Sequence, residues 1–470
     1  MSQVNQHNVT FGSLASSSAP ITNLPTEVLV EIFKIYVESY PEVLDQRVVD
    51  LCLVKRYWNA VANDTPQLWT KINISFPFAD NHIAAVLKRV CASGLQKIDV
   101  SIDFRDPNWD GDEDELRFIP KELVWARHVI PVLEGTEKRW KSIKVISDMW
   151  LPLYELLDHW RFTHLPSLES ISMKRNNAIF GMRNVPFDPQ LLIEPKTLFG
   201  RGASLPNLRE VSLSAVHVDW NDASVGCQNL RKLELTSLTY DVGPSFEQFA
   251  AILSSSPRLE YLDVSGLCPE HHTGPAILPE IPVVHLPALK EFIFGWKDVD
   301  LGCGFLQMFQ VGDSLENLTL LDTESGFGCW MDPQTKGRSW AQESQGIFET
   351  LSELGSAAPW DSGDTPSGPF ISMRGVKRLK IAWTKATHRP LDSFLMMLTG
   401  LEDIRLEDVD RDVLGAVARI GASSTAGNQA FGRLDLRWTW QEGVPSFAEE
   451  HILRLEGVGI KSTVQGAEGW

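Results

Sequence analysis

A six-residue phrase, apolar-x-x-apolar-x-apolar, recurs along most of this chain. Copies begin at Leu95, Trp140, Leu168, Leu208, Leu230, Leu259, Leu289, Leu315, Val376, Leu401 and Phe431. Alternation at its fourth and sixth positions is the period of a strand with one buried face. The second and third positions carry independent information, because the phrase does not constrain them. Of those 22 residues 20 are polar, Tyr261 and Gly432 being the exceptions. In four copies a proline stands two residues ahead, at Pro166, Pro206, Pro257 and Pro287. There it blocks continuation of a preceding helix and admits an extended strand. Most copies follow one another at 22–30 residues, room for one strand and one helix. Helical patterns fill the intervals at 82–91, 121–133, 151–160, 246–253 and 391–398. Two intervals, near 40 and 45 residues, are irregular. The 61 residues from Leu315 to Val376 predict a degenerate repeat plus a loop.

The first 75 residues follow a different period. Leu24, Val28, Leu29, Ile32, Phe33 and Tyr36 recur at three- and four-residue steps, one helix face. Pro25 suits the first turn, where its missing N–H has no partner to lose, and Glu27 favours the positive end of the helix. Pro41 stops it. Val48, Leu51, Val54, Trp58 and Val61 predict a second helix, with Lys55 and Arg56 off the stripe. Pro66 opens a short third piece ending in Leu68 and Trp69. About 50 residues bury too little apolar surface to fold robustly alone, so this module needs a neighbour.

With 470 residues, 43% of them hydrophobic, the chain has ample material for a core. Its net charge of −18 argues against a nucleic-acid partner and against an anionic membrane surface. Six cysteines are scattered with no CxxC pair, the usage of a reducing compartment. The N-terminus has neither the basic start nor the apolar run of a signal peptide, and no stretch reaches the ~20 apolar residues that span a bilayer. A cytoplasmic or nuclear location is the expectation.

Chemistry-bearing motifs are weak. Asp106, Asn108, Asp110 and Gly111 match the opening of a calcium loop, but Arg117 stands where the bidentate Glu belongs. Cys268, His271 and His272 lack the further ligands that zinc needs. No nucleophile elbow, Walker loop or HExxH is present. No catalytic residue, metal or cofactor is therefore assigned, and the chain is not expected to be an enzyme. Of the sixteen tryptophans, Trp296 and Trp383 follow repeat strands, and Trp330, Trp340 and Trp360 lie in a Gly/Ser/Pro-rich insertion, 322–374. Tryptophan is enriched at binding hot spots, which makes these five the candidates for a ligand surface.

The run L-P-T-E-V-L-V-E-I-F, then L-C-L-V-K-R-Y-W, then T-P-Q-L-W resembles an F-box, the helical module that docks on the Skp-family adaptor of a cullin-based ubiquitin ligase. Two departures stand out. Lys55 replaces the cysteine common after Val, and 38–47 is longer and more polar than the usual inter-helix turn. The resemblance implies adaptor binding by Leu24, Pro25, Leu29, Ile32, Phe33, Leu51, Val54, Trp58, Leu68 and Trp69. The phrase array resembles an irregular leucine-rich repeat, with Asn176 alone in the usual turn-asparagine place. The expected fold is thus α/β. A flexible segment (1–19) leads into a small all-α F-box (20–75), and an α/β solenoid (76–470) follows, its parallel strands on the concave side. On that face Asp99, Lys144, Glu234, Asp263, Lys380, Arg405 and Asp435 would be exposed. The implied role is substrate recognition for an SCF-type ligase, with adaptor and cullin as partners and a protein as substrate. The alternative is a non-degradative leucine-rich-repeat scaffold.

Overall fold

The computed structural model describes residues 24–39, 44–76, 80–105, 128–176, 186–198, 205–267, 281–323, 344–357, 368–423, 432–438, 446–456 and 460–466. These form two compact units. The first holds the described residues up to Lys71 together with Leu87–Gln96. The second holds Ile72–Val86 and everything described from Lys97 onward.

In the first unit lie α1 (Thr26–Glu38), α2 (Leu44–Val54), α3 (Arg56–Asn63) and a 3-10 turn, Pro66–Trp69. The stripe from Val48 to Val61 therefore makes two helices, not the single one expected. Lys55 breaks it with an extended backbone, φ −165° and ψ 160°. Its carbonyl accepts the Asn59 N–H at 3.0 Å, and Asn59 Nδ2 donates back to the Cys52 carbonyl at 3.1 Å, so the break leaves these groups satisfied. Leu29, Phe33, Val37, Val48, Leu51, Val61, Ala62, Leu68 and Trp69 form the core, none more than 5% exposed. Trp69 Nε1 donates to the Ala62 carbonyl at 2.8 Å, satisfying a polar atom that burial would otherwise make costly.

The second unit is an α/β solenoid. Its main sheet is parallel and has thirteen strands. In order these are β1 (Lys71–Ser75), β2 (Ile98–Asp103), β3 (Trp140–Ser147), β4 (Ser170–Arg175), β5 (Glu210–Ser214), β6 (Lys232–Thr236) and β7 (Tyr261–Ser265). After β8 (Val284–His285) come β9 (Glu291–Trp296), β10 (Phe309–Val311), β11 (Asn317–Asp322) and β12 (Phe370–Ile371). Last are β13 (Arg378–Ala382), β14 (Asp403–Glu407), β15 (Arg433–Trp438) and β16 (Lys461–Gly466). Strands β8, β10 and β12 leave the series to form a second parallel sheet. Helices Asp80–Ala92, Trp150–Trp160, Phe246–Ser254 and His388–Met396 lie where the intervals predicted them. Of 121–133, residues 121–127 lie outside the described residues and 128–133 are helical.

The phrase maps onto burial. In nine copies the first, fourth and sixth residues are all interior, Leu401 being the most exposed at 7%. Each such side chain contributes about 1.5–3 kcal/mol of burial. The copy at Leu95 departs: the turn at 93–96, with Gly94 at φ +57°, carries Leu95 outward to 95% exposure. Phe431 lies outside the described residues, while Leu434 and Leu436 are fully buried. Two strands escaped the phrase. Trp69, Ile72 and Ile74 do fit it but read as the end of the helical module. In β16, Ser462 occupies the register position of Leu434 and breaks the apolar pattern.

Two backbone ladders stack the repeats. At the strand entrance, Leu168, Leu208, Leu259 and Leu289 each close a turn onto the carbonyl three residues back, at 3.0–3.4 Å. The prolines at 166, 206, 257 and 287 sit at the second position of these turns, where their fixed φ is pre-set. The next residue then donates to its counterpart one repeat earlier. Glu169 donates to Lys141, Arg209 to Glu169, Arg231 to Arg209 and Glu260 to Arg231, at 2.7–2.8 Å. Lys290, Glu316, Lys377 and Glu402 continue the series at 2.7–2.9 Å. This is why the phrase's second position is polar: its side chain lies on the rim. Neighbours there largely alternate in charge, as in the Lys290–Glu260 pair at 2.7 Å and the Lys377–Glu316 pair at 3.3 Å. At the strand exit, Ala215, Ser237, Gly266, Trp383 and Asp408 adopt left-handed backbones, φ 47–70°. Each donates its N–H to the carbonyl of the last or next-to-last residue of the following main-sheet strand at 2.8–3.0 Å.

The interval from Leu315 to Val376 contributes no extra strand to the main sheet, because β11 pairs directly with β13. Its described residues instead supply the helix Gln345–Ser356 and β12. The degenerate repeat expected there therefore adds no strand between β11 and β13.

Candidate docking surfaces

Helix α1 carries two apolar stripes. Leu29, Phe33 and Val37 recur at four-residue steps and are buried. Val28, Ile32, Ile35 and Tyr36 form the second stripe and are 45%, 37%, 65% and 37% exposed. A surface helix that buries one stripe ordinarily has a polar opposite face. Helix α2 repeats the arrangement: Val48 and Leu51 are buried, while Val49, Leu53 and Val54 are exposed, Leu53 by 75%. Tyr57 in α3 is exposed too. Eight of the large apolar side chains exposed among the described residues thus fall within residues 28–57.

Cations border this set. The Arg47 guanidinium lies 4.5 Å from the Tyr36 ring centre and donates to the Tyr36 carbonyl at 2.8 Å. Lys55 Nζ sits 5.4 Å from the Tyr57 ring centre and 5.6 Å from that of Trp58. Trp58 meets Phe33 edge-on at 5.1 Å. The Thr26 hydroxyl hydrogen-bonds the Tyr57 hydroxyl at 2.9 Å, tying the start of α1 to α3. Rings held this way present fixed apolar area at little further entropic cost on binding.

Residues 21–75 match the F-box-like family model. Against the curated proteins, the chain matches none. The F-box-like domain spans all three helices, the 3-10 turn and β1. Within it the ten residues named for adaptor contact divide in two. Leu29, Phe33, Leu51, Leu68 and Trp69 are at most 5% exposed and hold the domain together. Pro25, Ile32 and Val54 are exposed, and Leu24 and Trp58 are half-buried. Val28, Ile35, Tyr36, Val49, Leu53 and Tyr57 complete the apolar face. For Val28, Ile35 and Tyr36 the signal in the sequence was the second stripe on α1.

The second surface is the face of the main sheet away from the core rows. Of the five tryptophans proposed for ligand contact, Trp296 does not reach it. It is 2% exposed and stacks on Phe294 at 5.8 Å. As the last residue of β9, Trp296 shares the core side of the strand with Phe294 and Phe292, two and four residues back, so the indole fills the core. Trp383 is half-exposed at the left-handed exit of β13. Trp330, Trp340 and Trp360 lie outside the described residues. Among the described residues no cluster of His, Cys, Asp or Glu has metal-binding geometry, and no helix is long and apolar enough to cross a membrane. The calcium-like loop and the Cys268 cluster lie outside them.

Register aligns the charges of this face in rows. Over β2–β5 they are Asp99, Asp103, Lys144, Lys174 and Glu210. Over β6–β11 they are Lys232, Glu234, Asp263 and Glu291, with apolar or small Ile293, Gly295 and Leu321 beside them. Burial pushes the Asp263 carboxyl up to about 6, against the pull of the Ser265 N–H and hydroxyl that donate to it. Burial, with Asp263 and Glu234 nearby, raises the Tyr261 phenol as well. Over β13–β16 the balance changes sign. Six cations, Arg378, Lys380, Arg405, Arg433, Arg437 and Lys461, face three carboxylates, Asp403, Glu407 and Asp435.

Proposed function

We propose that this chain is the substrate-recognition subunit of an SCF-type cullin ubiquitin ligase. The exposed apolar face between Val28 and Tyr57 docks on a Skp-family adaptor, and the repeat sheet holds a protein substrate. The observation that carries this reading is the doubled apolar striping of α1 and α2 within the F-box-like domain. Exposed apolar patches of this kind, rimmed by polar residues, mark protein interaction sites. The repeats are read as irregular leucine-rich repeats: each contributes one short strand, a turn and, in most intervals, a helix, stacked only on its neighbours.

In this role the chain performs no bond chemistry. Its contribution is proximity: a substrate lysine and the ubiquitin-charged enzyme become parts of one complex, which raises their effective concentration. Neither a cofactor nor a metal is required, and the expected setting is the cytoplasm or nucleus. The test is capture of a Skp-family adaptor and a cullin by the full chain, followed by substrate abundance with and without proteasome inhibition. Capture together with substrate accumulation on inhibition supports the reading. Capture without any change in bound-protein abundance favours a non-degradative scaffold, and no capture contradicts the adaptor assignment.

A further inference from the structure

We infer that the β13–β16 end of the sheet face binds an acidic, Asp/Glu-rich peptide segment of the substrate. The inference rests on the substrate-recognition reading above and names the chemistry of that substrate. The local excess of three positive charges stands on a chain whose net charge is −18. It is not neutralised in place. Glu407 is shared by two cations, Lys380 and Arg405, each at 2.6 Å. Arg433 pairs with Asp435 of its own strand at 3.1 Å. Arg378 donates to the neutral Asn317 amide at 2.6 Å. Arg437 and Lys461 make no ion pair among the described residues, and neither does Asp403.

Relief sharpens the sign. The side chains of Glu407 and Asp435 are 13% and 29% exposed, whereas those of Arg405 and Arg433 are 37% and 55% exposed. The carboxylates are recessed and the cations stand proud, so an approaching chain meets positive charge first. Rim residues Glu316, Lys377 and Glu402 together carry one negative charge, which leaves the end of the face net positive. Four strands at ~4.8 Å spacing span ~14 Å, the length of four or five extended residues. Opposite charge so arranged speeds encounter and suppresses wrong partners.

A second observation falls on the same end. Trp383 holds a left-handed backbone at φ 57°, a conformation that costs a bulky side chain strain, where the corresponding exits carry Ala215, Ser237 and Gly266. A half-exposed indole kept there at that cost suits contact with the same peptide.

The test uses the full chain and a fluorescent peptide of alternating Glu and Ser, read by anisotropy, with the Gln-for-Glu peptide and single-stranded oligo-dT as comparisons. Adaptor capture and circular dichroism are recorded on every variant. The Glu peptide should bind and weaken with added salt, and the Gln peptide should not bind. Arg437→Glu with Lys461→Glu should weaken binding roughly tenfold, and the milder Arg437→Gln with Lys461→Gln a few-fold. Lys144→Glu with Lys174→Glu, at the other end of the face, should change it by less than about twofold. Trp383→Gly should also weaken it. Equal binding of both peptides, an equal loss from the Lys144/Lys174 variant, or tighter binding of oligo-dT overturns the inference. Absent peptide binding with intact adaptor capture overturns this inference alone. Peptide binding without adaptor capture instead removes the ligase reading and leaves a peptide-binding scaffold.

Discussion

The two units treat apolar side chains in opposite ways. In the repeat unit, the first, fourth and sixth positions of nearly every copy are interior, and the residues between them face solvent or the rim. In the F-box-like domain, apolar residues exceed the positions its interior offers. Leu29, Phe33 and Val37 fill one side of α1, while Val28, Ile32, Ile35 and Tyr36 remain outside. A stacked array can bury every apolar row against the next repeat. In the F-box-like domain the second stripe of α1 stays exposed among the described residues, and under the proposed function it is the face that meets the adaptor. Hydrophobicity alone does not distinguish the two situations; its distribution around each helix does.

The largest expected effect breaks this contrast from the inside. Phe33→Ala removes a fully buried ring and should cost about 3–5 kcal/mol, enough to unfold a domain of this size. Phe292→Ala in β9 should cost a similar amount but spread through a much larger unit. Limited proteolysis should show early cleavage near residue 33 only for the first variant, and adaptor capture should survive only in the second.

Next in size is the stacking of repeat entrances. A Cβ at Gly375 would fall on the Asp313 carbonyl oxygen. Gly375→Ala should therefore destabilise the repeat unit by about 1–3 kcal/mol in denaturant titrations, with adaptor capture unchanged. An equal loss of capture would mean that the two functions are not separable as described.

The sheet face also has a pH signature. Burial raises the Asp263 carboxyl from its ordinary 3.8 to about 6, so the folded state holds this proton more tightly than the unfolded state. The resulting stability is present below about pH 4 and is lost as pH rises through about 6. Asp263→Asn should thus stabilise the chain by about 2 kcal/mol near pH 7.5 and by nearly nothing below pH 4. His217 works in the other direction. Burial lowers it to about 4 and keeps it neutral, with Nε2–H donating to the Ile193 carbonyl at 3.0 Å. Its share is present above 6.5 and lost as pH falls through 4, so the asparagine variant is needed to see the Asp263 component separately.

The smallest effect concerns Trp383. Substitution by Gly relieves a left-handed backbone while deleting a half-buried ring, and these oppose. The stability change should stay within about 1 kcal/mol, measured by thermal unfolding.

Much of the repeat fold was legible in the sequence because apolar periodicity reports burial directly. The exceptions have local causes. Gly94 turns Leu95 outward, Ser462 hides β16, and β1 shares Trp69 with the helical module. The break at Lys55 was foreshadowed only by its place off the stripe, since helical periodicity continues across a short non-helical joint. The candidate docking faces were less legible. Leu29 and Ile32 are chemically alike and one step apart, and which is inside depends on α2 and α3 packing against α1. Trp296 and Trp383 were both expected just past their strands, yet β9 runs on to include Trp296 on its core side, while Trp383 lies one residue beyond β13 in a left-handed turn and stays half-exposed. The charge reversal over β13–β16 needed the register, because Arg378, Arg405, Arg433 and Lys461 are far apart in the chain.

The central claim is that the outer stripe, not the buried one, meets the adaptor. Equilibrium binding of a purified Skp-family adaptor to the full chain should be compared with Ile32→Asp plus Val54→Asp, positions 37% and 57% exposed. The expected result is at least about a tenfold loss of affinity with an unchanged unfolding midpoint, as for exposed hot-spot residues. Undiminished binding by that variant, or no binding by the unaltered chain, would contradict it.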